Sequence, residues 1–294
     1  MRPRAAARAV RSAIIFGSFT SGDQIKLLRR GRLYVDRTDR RGQTLLEGGG
    51  PIYPGPALVW RELARYFRPD IFLDVGANYG EVALSTRYAA DATVYLFEPN
   101  PRLVSFLRRS ISSHPDHQRL SLVTQFASNK AGTQKFMVSK SWSGNSHGIA
   151  DASSTAGNGD YEIVDVQATT VDAVLQSRHA LEHCKLQFKV DVEGFEREVM
   201  LGMRETLLKV RAFAGLLEFD RARLARAKTD PDRFWQELAD LGDVFELSKG
   251  RIRPAHLEYI GNHTDLLVAS RQSLSRFTLP QFQSALCRAG KSSW

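Results

Sequence analysis

Two features that the sequence lacks narrow the chemistry before any motif is considered. The chain has 294 residues but only two cysteines, Cys184 and Cys287, which are far apart and lack the spacing of a zinc site. This argues against a disulfide framework or a cysteine-based metal site and predicts a reducing compartment, for which we expect the cytoplasm. No apolar run approaches the roughly 18 residues that a membrane span needs. The N-terminus also lacks the long apolar core of a signal peptide.

Acidic residues are scarce at the N-terminus. Residues 1–41 contain eleven Lys and Arg against three Asp, a net charge of +8 out of +9 for the chain, so the remainder is nearly neutral. A nucleic-acid enzyme would more often carry basic residues across its catalytic face, and no nucleic-acid partner is expected. Residues 1–19 predict a basic amphipathic helix. Such a helix either contacts a membrane surface or a partner protein, or packs its few apolar residues on the body.

Glycine and proline divide the chain. Gly48–Pro56 is rich in both, and an amphipathic helix is predicted directly after it, over residues 57–67. We therefore expect a basic arm over residues 1–55, a catalytic domain over 56–270 and a polar tail over 271–294. From Ile71 onward strands and helices alternate with short connections. This pattern predicts an α/β fold with a mostly parallel sheet and helices on both faces.

The stretch Ile71–Val75 is a buried-type strand that runs into a loop with two glycines, Gly76 and Gly80, and then into residues 81–88 of helical character. A strand, a glycine turn and a helix N-terminus form a cofactor site at the edge of a parallel sheet. The wide glycine spacing and the lack of a lysine do not support phosphate binding. An amino-acid-bearing nucleoside fits better, with Glu98 accepting hydrogen bonds from its ribose hydroxyls.

Acidic residues recur where the predicted buried strands end. In an open α/β sheet these ends line one crevice, in which ligands bind. One such acid can be a helix cap or a solvated turn residue, but several after successive strands indicate a site. The series comprises Asp74, Glu98, Asp191, Glu193 and Glu218.

Three stretches, taken together, resemble the signature motifs of the FkbM family of S-adenosylmethionine-dependent methyltransferases. They occur in the family's order at Asp74–Gly80 (DVGANYG), Phe97–Pro101 (FEPNP) and Lys189–Glu196 (KVDVEGFE). Residues 166–172 and 216–219 resemble the strands on either side of the third motif. The resemblance covers residues 70–270 and implies a Rossmann-like class I methyltransferase fold.

The resemblance also implies a cofactor site for S-adenosylmethionine. The implied cofactor-binding residues are Asp74, Gly76, Asn78, Gly80, Glu98, Ala127, Ser128 and Asp191. The first four would hold the methionine part and Glu98 the ribose, while Ala127 and Ser128 would lie near the adenine. Asp191 would lie by the sulfonium, where a carboxylate favours the cationic cofactor over its neutral product.

The acceptor and the catalytic residues follow from the same resemblance. Characterised family members mostly methylate hydroxyl oxygens, so we expect a small metabolite, natural product, sugar or glycan as acceptor. A hydroxyl is a weak nucleophile and needs a base or a metal. The candidate catalytic residues are Asp191, Glu193 and Glu218, and their spacing does not require a metal. His147 and His263 are further candidates, although a lone histidine is more often a surface or capping residue.

Two other functions stay open at this point. A nicotinamide-dependent oxidoreductase could use a similar sheet, but the four-residue glycine spacing and the EPNP sequence disfavour it. A non-catalytic S-adenosylmethionine-binding module could use the basic arm for docking, although the intact acids count against lost catalysis. Residues 139–160, rich in Ser, Gly, Asn and Asp, either cover a polyhydroxylated acceptor or form a disordered surface loop.

Overall fold

The computed structural model describes residues 3–150, 159–176, 179–248 and 251–271, together with residues 273, 274 and 284. Its helices are α1 Pro3–Phe16, α2 Arg40–Gly48, α3 Pro54–Phe67, α4 Pro101–Ser113, α5 Val171–Gln176, α6 Glu196–Gly202, α7 Arg204–Lys209, α8 Arg221–Arg226 and α9 Pro231–Leu241. Its strands are β1 Ser18–Ser21, β2 Gln24–Leu27, β3 Gly31–Tyr34, β4 Ile71–Val75, β5 Thr93–Phe97, β6 Leu120–Val123, β7 Phe126–Ala127, β8 Gly132–Ser139, β9 His147–Gly148, β10 Tyr161–Thr169, β11 Lys185–Val190, β12 Ala212–Asp220, β13 Asp243–Ser248, β14 Arg251–Pro254 and β15 His263–Ala269.

The largest sheet has eight strands in the order β14-β13-β15-β12-β11-β4-β5-β6. The run from β6 to β12 is parallel throughout, and β15, β13 and β14 add antiparallel neighbours. This confirms the predicted α/β fold with a mostly parallel, Rossmann-like sheet. The strand order reverses between β4 and β11, and in such sheets ligands bind beside that reversal, at the carboxyl ends of the strands.

Both faces of this sheet are covered, so strand β4 is buried along its whole length. Ile71, Leu73 and Val75 lie in one core with apolar residues of α5, α6, α7 and α9, and Phe72 lies in the other with those of α3 and α4. A parallel strand covered on both faces reads as a continuous apolar run. This is why the sequence indicated β4 so clearly.

The predicted helix over residues 81–88 is wrong, since only a short 3₁₀ turn forms there, Ala83–Ser85. Tertiary hydrogen bonds take the chain away from a helical path. The Arg87 guanidinium and the Tyr88 N–H both donate to Asp116, at 2.7 and 2.9 Å, and the Tyr88 hydroxyl donates back to the Ala83 carbonyl. These contacts outweigh the local helical preference of the stretch.

The predicted basic arm packs on the catalytic domain. Its helix is confirmed as α1, and β1, β2 and β3 form an antiparallel sheet. Strand β3 lies along α4, where Ser113 Oγ accepts the Arg32 N–H at 2.9 Å. Phe16 and Leu33 are buried in the same core as Leu58. The division at residue 55 therefore stays a prediction from composition, and the core is continuous across it.

Residues 120–127 divide between β6 in the large sheet and β7 in a second sheet, β7-β10-β8-β9. Most of the tail predicted for 271–294 lies outside the described residues. No helix in the described part of the chain combines the length and hydropathy needed to span a bilayer.

Candidate functional site

A cavity of about 810 Å³ opens at the carboxyl edge of the large sheet, within the range typical of small-molecule sites. The loops after β4, β5 and β11 contribute to its wall, together with the end of β12 and helix α8. The predicted site residues in this wall are Gly76, Asn78, Glu98, Ala127, Asp191, Glu193 and Glu218. Asp74, Gly80 and Ser128 lie outside the wall as the described residues form it.

The turn after β4 contains three residues in the left-handed backbone region, Gly76, Asn78 and Gly80. Gly76 has a φ of 79°, and a Cβ there would lie 1.9 Å from the carbonyl oxygen of Asp191. Glycine therefore lets the loops after β4 and β11 touch. Asn78 has a φ of 51°, and its N–H donates to Glu98 Oε2 at 2.7 Å. The turn thus joins the ends of three neighbouring strands.

Asp74 and Gly80 stabilise this turn from outside the cavity wall. Asp74 is fully buried, its Oδ2 accepts the Ala83 N–H at 3.3 Å, and its Oδ1 lies 3.4 Å from Lys189 Nζ. Burial raises the pKa of Asp74, although the charge of Lys189 opposes this. A side chain at Gly80 would come within 2.8 Å of two leucine side chains. The roles of Asp74 and Gly80 toward a cofactor stay predictions from the resemblance.

Lys189, to which no role was assigned from the sequence, joins Asp74 to Asp191. Its ammonium lies 3.4 Å from a carboxylate oxygen of each and donates to the Gly76 carbonyl at 3.2 Å. Burial works to raise the pKa of Asp191, but the charges of Lys189 and Arg41 lower it on balance. The Asp191 side chain is 41% exposed. Asp191 therefore presents an ionised carboxylate to the cavity at neutral pH.

Glu98 is held at the cavity wall by two backbone amides. Its Oε2 accepts the Asn78 N–H, and its Oε1 accepts the Asn100 N–H at 2.9 Å. Burial raises the pKa of Glu98 to about 7, and the two amides oppose that rise. Because each carboxylate oxygen can accept two hydrogen bonds, both keep a free acceptor position for a ligand hydroxyl.

Glu193 and Glu218 share one arginine. Arg223 Nε lies 3.0 Å from Glu193 Oε2, and its Nη1 lies 2.5 Å from Glu218 Oε2. Burial raises the pKa of Glu193 to about 8, and repulsion by Asp191 acts in the same direction. Burial and Asp191 also raise the pKa of Glu218. Glu193 has a φ of 60°, which is unusual for a residue with a side chain and fixes it over the cavity.

The same three acids meet the minimum geometry of a metal centre. Ligand oxygens of Asp191, Glu193 and Glu218 lie within 4.8 Å of one another, and such oxygens suit Mg²⁺ or Ca²⁺. The Arg223 guanidinium already contacts two of them. A divalent cation would therefore have to displace this arginine from Glu193 and Glu218.

The two candidate histidines have different positions. His263 lines the cavity, with its Nδ1 at 3.3 Å from Asp220 Oδ2 and 3.7 Å from Glu218 Oε1. His147 lies outside the wall formed by the described residues, and its Nδ1 contacts the Asn145 carbonyl at 2.8 Å. Of the two, only His263 is placed where it could take part in chemistry at the acid cluster.

Asp39, to which the sequence analysis gave no role, ties the N-terminal segment to the site. Its Oδ1 accepts the backbone N–H groups of Arg41 and Ser143, both at 3.1 Å, and its Oδ2 accepts the Tyr79 hydroxyl at 2.8 Å. It is also the N-cap of α2, whose C-cap is Gly49. That pair of caps was the local signal by which helix α2 could have been found.

Arg41 was likewise missed, although it lines the cavity. Its Nε donates to Asn78 Oδ1 at 3.2 Å, its guanidinium forms an ion pair with Glu81, and its Cζ lies 5.9 Å from the Trp142 ring centroid. Burial works to lower the pKa of Arg41, but Glu81 and Asp191 raise it on balance. A permanent cation from the N-terminal segment thus lies against the glycine turn.

Part of the segment predicted to cover the acceptor also lines the cavity. Trp142–Ser146 form this wall, where Ser143 Oγ donates to Asn78 Oδ1 at 3.3 Å and Asn100 Nδ2 donates to Ser146 Oγ at 3.3 Å. Residues 151–158 lie outside the described residues. The contact of this segment with an acceptor stays a prediction.

Comparison with known proteins identifies a family. A family model described as the methyltransferase FkbM domain matches residues 74–245. An FkbM methyltransferase structure from Methylobacillus flagellatus is 12% identical with a TM-score of 0.43, covering 68% of this chain and 43% of its own. The O-methyltransferase TomG from Streptomyces achromogenes, solved with SAM, is 10% identical with a TM-score of 0.44, covering 81% and 92%.

An O-methyltransferase from Bacillus cereus, solved with SAH, is 13% identical with a TM-score of 0.43, covering 77% of this chain and 86% of its own. No curated protein matches the chain. The chain spans less than half the length of the Methylobacillus protein.

Proposed function

The chain belongs to the FkbM methyltransferase family, and we propose that it transfers a methyl group from S-adenosylmethionine to a hydroxyl oxygen of a small metabolite, natural product or sugar. One observation carries the proposal. The Gly76–Asn78 turn, Glu98 and the ionised Asp191 meet in the wall of a single cavity at the strand-order reversal. This is the position at which α/β sheets bind their ligands.

The charges of the cavity fit a cationic cofactor. Six acids line it against two arginines and one histidine: Glu98, Asp191, Glu193, Glu218, Glu246 and Asp265, against Arg41, Arg223 and His263. The sulfonium and ammonium groups of S-adenosylmethionine are positive, so the ionised Asp191 attracts them, and a bound cation favours the ionised form of the neighbouring acids. Within the described residues no lysine lines the cavity, and a pyrophosphate would meet mostly carboxylates. This disfavours a nicotinamide dinucleotide.

The chain's own residues have two tasks in this reaction, because S-adenosylmethionine itself supplies the electrophilic methyl group. They must hold the acceptor oxygen in place and remove its proton. We assign the removal of the acceptor's proton to Glu193. Its pKa of about 8 lies close to neutral pH, and Arg223 orients its Oε2 at 3.0 Å. Asp191 stays ionised and stabilises positive charge in the cavity. Glu98 accepts hydrogen bonds from ribose hydroxyls.

The acceptor would occupy the part of the cavity that the cofactor leaves open. In the cavity wall Tyr53 and Trp142 contribute aromatic faces, and Ser143 and Asn145 contribute polar groups. Aromatic faces with interspersed hydrogen-bonding groups suit a hydroxylated ring. This composition supports a polyhydroxylated or aromatic natural-product acceptor over a long aliphatic one.

Binding and turnover test this proposal. We expect calorimetry to show binding of S-adenosylmethionine and S-adenosylhomocysteine, with no binding of NAD. We also expect a screen of hydroxylated acceptors to release S-adenosylhomocysteine with one acceptor class. Tight NAD binding without S-adenosylmethionine binding would overturn the cofactor assignment. Cofactor binding with no turnover across sugars and natural products would favour a binding module instead.

A further inference from the structure

A second concave surface lies at the amino edge of the large sheet, opposite the cavity. Its volume is about 530 Å³, and it is here called the arginine groove because five arginines line it: Arg30, Arg61, Arg65, Arg68 and Arg87. The acids in its wall are Asp70 and Asp91. Arg87 also pairs with Asp116, and Arg61 and Arg65 lie within 4 Å of Glu62. Within the described residues, Arg30 and Arg68 are the groove arginines that form no ion pair with an acid.

Two of the groove arginines contact backbone carbonyls at the end of α1. Arg30 Nη1 donates to the Phe16 carbonyl at 2.7 Å, and Arg61 Nη1 donates to the Ile15 carbonyl at 3.1 Å. Burial and repulsion by Arg61 and Arg87 lower the pKa of Arg30. Because Arg30 is held by a neutral group close to other positive charges, an anion from outside is favoured beside it. The planar guanidinium matches the oxygens of a phosphate better than any other side chain.

The groove continues onto the surface of the N-terminal segment, since Arg87 Nη1 donates to the Arg29 carbonyl at 3.2 Å. Leu28 packs against Gly17, which follows Ile14 by about one helical turn. This adjoining surface exposes large apolar side chains beside basic ones: Ile14 (78% exposed), Leu28 (61%) and Phe19 (49%), with Lys26, Arg29 and Arg32. Lys26 Nζ lies 5.9 Å from the Phe19 ring centroid, so the two kinds of residue are interleaved.

We propose that the arginine groove and this adjoining surface dock on an anionic phospholipid bilayer. The arginines bind lipid phosphates, and Ile14, Phe19 and Leu28 enter the boundary between headgroups and acyl chains. Basic residues beside exposed apolar ones are the composition that such interfaces select. Nucleic acid would leave the aliphatic side chains without a partner.

Charge also argues against a symmetric second copy of the chain as the occupant. This surface would then meet an identical basic surface, because residues 1–41 carry a net charge of +8. Docking at the amino edge leaves the cavity at the carboxyl edge open. The proposal therefore holds or fails independently of methyl transfer.

Vesicle co-sedimentation of the full chain tests this proposal. We expect binding to vesicles of phosphatidylcholine mixed with phosphatidylglycerol, weaker binding as salt is raised, and little binding to phosphatidylcholine alone. Equal binding to both vesicle types would overturn the role of the arginines. Stabilisation by inorganic phosphate without vesicle binding would assign the groove to a free anion and overturn the bilayer.

Exposed side chains provide matched variants for the same assay. We expect the triple variant Arg29→Asn, Arg32→Gln, Arg65→Gln to lower vesicle partitioning by at least about tenfold. Asn suits position 29 because its φ is 63°. The control variant Lys130→Gln, Lys209→Gln, Arg233→Gln removes the same charge from exposed sites outside the groove and should retain binding. Leu28→Ser should also weaken binding, by removing the apolar contact.

Both triple variants should retain the initial rate of methyl transfer, which reports that they are folded. An equal loss of binding in both triple variants would show only a general charge effect and overturn the proposed surface. Unchanged vesicle binding in the groove variant, or tighter binding to a mixed-sequence RNA than to the mixed vesicles, would also overturn it.

Discussion

The two edges of the large sheet carry opposite charge and balance it differently. At the carboxyl edge the acids of the cavity have cations of the chain placed between them, with Lys189 joining Asp74 to Asp191 and Arg223 joining Glu193 to Glu218. At the amino edge five arginines line a groove, where Asp116 and Glu62 pair with three of them and Arg30 and Arg68 form no ion pair within the described residues. The counter-charges of the carboxyl edge hold its acids in fixed positions, which chemistry requires. Incomplete counter-charge at the amino edge leaves attraction for an external anion, which docking requires.

The largest effect is expected at Asp191, the ionised acid of the carboxyl edge. Asp191→Asn keeps the shape of the side chain but removes the charge beside the proposed sulfonium, and kcat/KM should fall by about a thousandfold. The release of S-adenosylhomocysteine measures the rate, and calorimetry should show a reduced preference for S-adenosylmethionine over S-adenosylhomocysteine. Asp165→Asn, on an exposed strand position, is the control. A loss below tenfold would remove Asp191 from the mechanism.

The next largest effect is expected at Glu193, on the pH dependence of kcat/KM. A general base acts only when deprotonated, so kcat/KM should rise with pH toward about 8 and level off above it, following the raised pKa of Glu193. Glu193→Gln should lower kcat by about a hundredfold and remove this rise. Glu205→Gln, at an exposed glutamate of α7, should change neither. If the rise survives unchanged in Glu193→Gln, Glu193 is not the base.

The carboxyl edge could be predicted from the sequence because its acids obey a local rule. Asp191 follows β11 and Glu218 lies near the carboxyl end of β12, and parallel strands bring their ends together whatever the connections are. The family model that matches residues 74–245 includes these positions. Asp74 obeys the same rule but is fully buried, because Lys189 and the Ala83 N–H draw its carboxylate beneath the turn.

The amino edge could not be predicted in the same way. Its arginines come from separate elements, with Arg30 after β2, Arg65 on α3 and Arg87 after the 3₁₀ turn, and only the packing of α1 against α3 and the turn brings them together. Arg41 reaches the cavity for a similar reason, because β3 runs along α4 and carries α2 toward the glycine turn. Composition alone located the positive charge in the N-terminal segment, and it left a membrane surface, a partner protein and packing on the body as alternatives.

A variant of Asp39 tests whether the N-terminal segment contributes to the cavity at the carboxyl edge as well as to the groove at the amino edge. Asp39→Ala removes the N-cap of α2 and the bonds from Ser143 and Tyr79, and should lower the free energy of unfolding by about 2 kcal/mol. Tyr79→Phe removes one of these bonds and should cost about 1 kcal/mol. Urea unfolding measures both. Affinity for S-adenosylmethionine should fall in Asp39→Ala, and an unchanged affinity would confine the segment to the amino edge.

The smallest effect is expected from removing divalent cations, and it tests the contrast between the edges most directly. Because Arg223 already contacts Glu193 and Glu218, prolonged chelation should leave the initial rate within about twofold. The control is the same protein with Mg²⁺ restored, which should show the same rate. If chelation abolishes activity and Mg²⁺ restores it, a cation has displaced Arg223 from the acids. In that case a bound cation would neutralise the acids of the carboxyl edge, as an external anion is proposed to neutralise arginines of the amino edge. The two edges would then not differ in where their counter-charge comes from.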